Sequence, residues 1–141
     1  MKYFIYTLFL FASIACANPS INENSSGVPV SVSDVHMGVV GDRIVRAIQH
    51  NMELNPMIQF EIMARPDFKV IHTVTITEVT IGNEKLSFRN SGGAFVEDIQ
   101  VKDDHVSIAI DYFYLNGGSA LLSCSLPVKG GYFGGIRCFK K

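Results

Sequence analysis

The sequence lacks a cluster of basic residues. Its 141 residues include 12 lysines and arginines against 13 aspartates and glutamates, and only Arg137, Lys140 and Lys141 gather, at the C-terminus. Because a nucleic-acid interface neutralises phosphates with clustered lysine or arginine side chains, this pattern argues against nucleic acid as a partner. Three cations at a chain end are typical of a solvated tail rather than of a binding patch.

Long apolar runs are absent after the first residues. The one such run covers residues 3–14, follows a basic start at Lys2 and ends at Ala15-Cys16-Ala17. A basic start, an apolar core and a small-x-small site are the order of a secretory signal peptide. The run is also shorter than the roughly 20 residues that span a bilayer. We therefore predict a cleaved signal peptide over residues 1–17, secretion, and no contact with a membrane.

The mature chain predicted by this cleavage runs from Asn18 to Lys141 and carries a formal charge of −2 once Lys2 is removed. Its length fits one domain. Residues 18–34 are rich in serine, asparagine and proline without apolar periodicity, which indicates a flexible lead-in. Asn24 in this segment begins a sequon for N-glycosylation, whose occupancy the motif alone leaves open. The single β-rich domain is assigned to residues 35–141.

Cysteine is scarce. Of three cysteines, Cys16 lies in the signal peptide, so Cys124 and Cys138 remain as an even pair in an oxidising compartment, which favours a disulfide between them. This bond would close the C-terminal tail into a loop of about 15 residues and stabilise the fold by roughly 3 kcal/mol on the chain-entropy model. The alternative, two reactive thiols, requires an electropositive environment that nothing nearby indicates.

Helical periodicity is missing from every stretch of ten or more residues. From Val35 onward, apolar residues recur at alternate positions and turn residues at short intervals, which is typical of antiparallel sheets. Residues 105–115 and 119–126 are predicted to form a hairpin around Gly117-Gly118. The predicted fold is all-β, a small antiparallel sandwich or barrel of about seven to nine strands.

The longest predicted strand covers residues 69–81. Its apolar face changes, because Val70, Val74 and Ile76 lie at even positions whereas Val79 and Ile81 lie at odd ones. One extra residue in a strand moves every later side chain to the other face. We therefore predict a bulge near Thr77-Glu78.

The five-residue motif Gly41-Asp42-Arg43-Ile44-Val45, preceded by Gly38, resembles a motif early in the mature chain of an arthropod secreted-peptide family. That family is named after multiprotein bridging factor 2 and includes salivary secreted peptides. Paired glycines at 92–93 and 117–118 follow in a similar order, whereas the tail from residue 127 is additional. The resemblance implies a small extracellular β-domain. The family name also implies transcriptional co-activation, against which the signal peptide and the lack of a basic surface argue.

Asp42 and Arg43 have two interpretations apart from this resemblance. In the structural one, Asp42 bonds backbone amides in a tight turn after Gly41, and Arg43 opens the next strand and pairs with a carboxylate. In the functional one, both residues belong to a recognition site. The structural interpretation is favoured, because turn aspartates and strand-edge arginines are ordinary.

Motifs for catalysis and for metal or cofactor binding are also missing. The chain has no Gly-x-Ser-x-Gly elbow, phosphate loop or dinucleotide fingerprint. Asp103 and Asp104 are neighbours, so on an extended chain their carboxylates point to opposite sides and make a poor acid–base pair. No pair at metal-ligand spacing occurs among the four histidines, His36, His50, His72 and His105. We predict no enzymatic activity, no metal and no cofactor.

Consecutive aromatic residues are the most informative feature that remains. If Tyr112, Phe113 and Tyr114 lie on a strand, at least one ring points away from the face that carries the others. An exposed ring on a secreted domain is a candidate contact for a partner or an apolar ligand. A sheet covered on both faces would hide all three rings and is the ordinary alternative.

The sequence thus favours a secreted, non-enzymatic protein of the salivary or haemolymph type that binds an extracellular protein or surface. One alternative is a carrier whose strands enclose a small apolar ligand. An extracellular hydrolase and a transcriptional co-activator are the others.

Overall fold

The computed structural model describes residues 31–141, over which the chain forms strands and no helix. No helix of that range is therefore long and apolar enough to cross a membrane. The predicted signal peptide and the sequon at Asn24 lie outside the described residues. The eleven strands are β1 (Val32–Val40), β2 (Arg43–His50), β3 (Ile58–Met63), β4 (Val70–Ile76), β5 (Glu78–Ile81), β6 (Glu84–Ser87), β7 (Gly93–Val101), β8 (His105–Phe113), β9 (Ser119–Lys129), β10 (Tyr132–Phe133) and β11 (Arg137–Lys140).

Two antiparallel sheets and a small hairpin make up the domain. The first sheet has the order β1-β2-β3-β4, and β5 pairs only with β6. In the second, five-stranded sheet, β7, β8 and β9 are consecutive. The free side of β9 pairs with both short strands, β11 along its middle and β10 at its end.

Alternating side chains from the two sheets share one hydrophobic core. Phe60 and Ile62 of the first sheet and Ile110 and Leu126 of the second are fully buried within it. Two sheets that enclose a common core between their inner faces form a β-sandwich. The all-β prediction is confirmed, with eleven strands in the described residues rather than seven to nine.

The edges of the two sheets meet. At one edge, a β-carbon on Gly38 of β1 would lie 2.4 Å from Cβ of Val101 on β7, so only a glycine fits. At the other edge, His72 of β4 accepts a hydrogen bond at Nδ1 from the backbone N–H of Phe133 on β10, at 3.3 Å. Backbone strand pairing therefore does not join the two sheets, but contacts that involve side chains close the sandwich at both edges.

Two additional strands account for part of the difference in strand number. β1 begins at Val32 and pairs with β2 up to its last residue, His50. Residues 32–34 thus belong to the sandwich, and the predicted lead-in over residues 18–34 extends too far. β10 has only two residues, which is too short for a periodic pattern to reveal.

The prediction of one strand over residues 69–81 is wrong. The chain leaves the first sheet at the end of β4, and β5 pairs with β6 in a hairpin of its own. Thr77 lies between them and accepts a hydrogen bond from the backbone N–H of Phe88. The change of apolar face marks a new strand rather than a bulge near Thr77-Glu78, since either event inverts the alternation. β7 does carry such a bulge, between Val96 and Asp98.

A disulfide joins Cys124 of β9 to Cys138 of β11. The two residues lie directly opposite each other, with Cα atoms 4.1 Å apart, and Cys124 is buried in the core. The predicted hairpin between β8 and β9 is also confirmed. Its register is continuous from the pair of His105 and Pro127 to the pair of Phe113 and Ser119. The C-terminal strand is thereby tied to the centre of the second sheet.

Candidate functional site

The three consecutive aromatic residues have different environments. Tyr112 points inward, is only 4% exposed and donates a hydrogen bond from its hydroxyl to the carbonyl of Ser87 at 3.1 Å. Burial, and then electrostatic interaction with Tyr114 and Glu84, raise the pKa of Tyr112. Tyr114 follows the end of β8 and packs partly buried against the core, with its ring 5.2 Å from that of Tyr112.

Only Phe113 of the three points outward into solvent. Of the three candidate contact aromatics, Tyr112 is therefore not an exposed ring, because it shares the inward side of β8 with Ile108 and Ile110. Tyr114 is likewise not an exposed ring. The expectation that one ring of the three faces away from the others is met by Phe113.

Phe113 belongs to a larger apolar surface on the outward side of the five-stranded sheet. Four large side chains, each from a different strand, expose between 37% and 58% of their area there. We call this surface the outward patch: Phe95 on β7, Phe113 on β8, Leu121 on β9 and Phe139 on β11.

Strand register places the four side chains next to one another. Phe95 and Leu121 lie opposite the same residue of β8, Asp111, on its two sides. Phe113 is two residues from Asp111, and Phe139 pairs with Ser123, two residues from Leu121. Since directly opposite β-carbons are about 5 Å apart and diagonal neighbours about 7–8 Å, the patch is continuous across four strands.

Gly93 fixes the position of the aromatic pair in this patch. The ring of Phe95 lies over Gly93, so that a β-carbon there would be 3.0 Å from Cε2 of Phe95. Gly93 also has a backbone φ of 150°, a conformation that residues with a side chain rarely adopt. The Phe95 ring meets that of Phe113 edge to face, with centroids 5.8 Å apart and an interplanar angle of 84°. Such a pair contributes about 0.5–1.5 kcal/mol beyond its burial.

The family-like motif lies at the opposite end of the sandwich. Gly41, with φ of 59°, and Asp42 form the turn between β1 and β2, and Ile44 and Val45 are buried. The carboxylate of Asp42 pairs with Arg43 at 3.4 Å. This supports the structural interpretation in part, since Arg43 does pair with a carboxylate, that of its neighbour.

Three of the cavities among residues 31–141 open at the ends of the sandwich. Asp42 and Arg43 border one of about 380 Å³, together with Asp103 and Asp104. At the other end, two clefts of about 330 and 300 Å³ share Met52, Glu53 and Phe95 in their linings. The second cleft also borders His50, a buried histidine.

The four histidines are separate from one another. His36 lies 3.3 Å from Asp34, and His105 lies 2.6 Å from Asp104. Nδ1 of His50 is 3.2 Å from the hydroxyl of Ser31, and its Nε2 is buried without a hydrogen-bond partner in the described part of the chain. Within residues 31–141, no group of three or more histidine, cysteine or acidic residues has the arrangement of a metal site.

Comparisons with models of protein families, with curated proteins and with solved structures find no match to this chain. The resemblance at residues 41–45 therefore stays a prediction. The arrangement of side chains on the outward patch carries the functional argument.

Proposed function

We propose that this protein is a secreted, non-enzymatic binding protein that contacts an extracellular macromolecule through the outward patch. The observation that carries the proposal is the exposure of four large apolar side chains, from four strands, on one face of the sheet. Contiguous apolar surface rimmed by polar residues is characteristic of interaction sites. Aromatic anchors of this kind supply a large share of the binding free energy of protein interfaces.

The rigidity of the patch supports this proposal. Phe95 and Phe113 hold each other edge to face, and Phe139 directly follows Cys138, which the disulfide ties to β9. Side chains that are already ordered lose little conformational entropy on binding. A partner therefore meets a preformed surface.

Secretion rests on two supporting observations. The first 17 residues have the order of a signal peptide, and a disulfide fits an oxidising compartment. The salivary or haemolymph type is supported by the resemblance at Gly41 to Val45 alone. The same two observations weigh against transcriptional co-activation.

A carrier that encloses a small apolar ligand has less support. The space between the sheets is filled by fully buried side chains, among them Phe60, Ile108 and Leu122. A ligand would have to use one of the cavities at the ends of the sandwich. Solvent extraction of the purified protein followed by mass spectrometry tests this alternative, since a co-purifying lipid would favour it.

Binding of labelled protein to intact cells of the source tissue tests the proposal. We expect saturable binding that weakens about tenfold or more in a Phe113→Ser/Phe139→Ser variant, which loses two aromatic anchors. Leu54→Ser/Leu115→Ser is the matched control, because both leucines are more exposed than the patch residues but lie in loops. Equal binding by the wild type and the aromatic variant, with both folded, would contradict the proposal.

A further inference from the structure

One carboxylate lies in the middle of the outward patch. Asp111 of β8 is directly opposite Phe95 on one side and Leu121 on the other. Phe113, two residues further along β8, projects to the same face. Asp111 is itself half-buried. A charged group thus lies between two large apolar side chains, and the same face also carries Asp98, Ser119 and Ser123 as diagonal neighbours of Asp111.

Asp111 has no charged partner among residues 31–141. None of the six ion pairs in that range includes it. The backbone N–H of Lys141 donates to the carbonyl of Leu121 at 2.9 Å, which places Lys141 beyond Leu121 and two strands from Asp111. Arg137 lies two strands across and four residues along, roughly 16 Å away by strand geometry, and charges that distant are largely screened in physiological salt.

A partner that covers the four apolar side chains also removes water from Asp111. An unpaired carboxylate is strongly disfavoured away from water. A purely apolar partner surface should therefore bind weakly, whereas a surface that places a cation beside Asp111 should bind more tightly. Asp111 would thus determine specificity, while the apolar side chains supply contact area.

We infer that the outward patch binds a protein segment that places an arginine or lysine side chain on Asp111, with apolar side chains on either side of it. This inference rests on the proposed function. Arginine suits the position better than lysine, because its planar guanidinium pairs with a carboxylate and also stacks on aromatic rings. Phe95 and Phe113 supply those rings.

A protein segment fits this surface better than a small organic cation does. Small ligands bind in concave sites that surround them. The patch is the outer face of a sheet, roughly 14 Å wide across four strands. Asp111, Phe113, Leu121 and Phe139 border none of the three cavities described above.

Selection of short random peptides displayed on phage tests the inference. Peptides that bind the immobilised wild-type protein are kept, and those that also bind the Phe113→Ser/Phe139→Ser variant are removed. We expect the retained sequences to share an arginine or lysine next to aromatic or aliphatic residues. Their affinity should fall about tenfold or more for Asp111→Asn, since a buried charge pair loses one member, and should change less than about twofold for Asp103→Asn, an exposed acid at the opposite end.

A charge swap distinguishes a direct contact from a structural effect. Asp111→Lys should bind peptides whose basic residue is replaced by glutamate better than it binds the original peptides. Retained peptides without a basic residue, or unchanged affinity in Asp111→Asn, would overturn the inference and leave the proposed function in place. A wild-type protein that retains no peptides over the double variant would instead contradict the proposed function itself.

Discussion

Phe95 reaches Phe113 across a residue that has no side chain. Its ring lies over Gly93, with 3.0 Å between Cε2 and the position of a β-carbon there, and meets the Phe113 ring at 5.8 Å between centroids. An aromatic ring over a strand glycine covers backbone that would otherwise be solvated. The outward patch therefore depends on Gly93, although Gly93 is not one of the four residues that form it.

Substitution Gly93→Ala should disturb this pair. The added methyl group would contact the Phe95 ring and occupy a φ of 150° that alanine disfavours. We expect a loss of about 1–3 kcal/mol in the free energy of unfolding, measured by urea denaturation. Gly135→Ala is the control, because nothing lies within 4 Å of its β-carbon position and its φ is not positive. Equal midpoints for the two variants would refute this account of Gly93.

The closure of the sandwich between β1 and β7 should depend on Gly38. Because a β-carbon there would lie 2.4 Å from Cβ of Val101, Gly38→Ala should lower the free energy of unfolding by about 1–3 kcal/mol. Val101→Ala removes only γ-carbons, one of which would be 2.6 Å away, so the double variant should recover part of the loss. Strict additivity of the two substitutions in a double-mutant cycle would show that the residues do not interact.

The disulfide should stabilise the C-terminal strand and with it Phe139. Cys124 and Cys138 are 14 residues apart in sequence, for which the chain-entropy model predicts about 3 kcal/mol. We expect the Cys124→Ala/Cys138→Ala variant to unfold at lower urea, and the reduced wild type to match it. An unchanged midpoint after reduction, with two free thiols confirmed by mass, would contradict a stabilising role.

Alkaline pH should destabilise the fold in part through Tyr112. Burial raises the pKa of Tyr112 in the folded protein, while the unfolded chain releases that proton near pH 10. Above about pH 10 the unfolded state therefore binds fewer protons, and the free energy of unfolding falls as pH rises towards the folded pKa. Urea midpoints across this range should fall less steeply for Tyr112→Phe than for the wild type.

At neutral pH the same variant isolates the hydrogen bond. Tyr112→Phe loses the bond to the Ser87 carbonyl, which should lower the free energy of unfolding by about 0.5–1.5 kcal/mol. Parallel pH profiles for the two proteins would show that Tyr112 does not carry the alkaline effect.

Local sequence patterns predict the all-β class because alternation is strong where strands are central. β8 has Val106, Ile108, Ile110 and Tyr112 on one side, and all four are buried. β1 shows the limit of this pattern. Its alternating Val35, Met37 and Val39 are exposed, because this strand lies at an edge with its apolar side outward.

The outward patch could be predicted only in part. Alternation within β8 separates Phe113 from Tyr112, but the patch also needs Phe95, Leu121 and Phe139. These come together through the register of three further strands. Phe139 is 18 residues from Leu121 in sequence, and its strand β11 reaches β9 through the disulfide-closed loop. Pairing at that range depends on the packed sandwich, and no local pattern encodes it.

Site-specific photocrosslinking tests the central claim most directly. A photoreactive phenylalanine analogue at Phe113 should give an adduct of one discrete mass with the source tissue's extracellular material, and excess unlabelled wild type should suppress it. The same analogue at Tyr132, which is exposed near the opposite end of the sandwich, should give none. An adduct at position 132 and not at 113, or no adduct at either, would contradict a binding role for the outward patch.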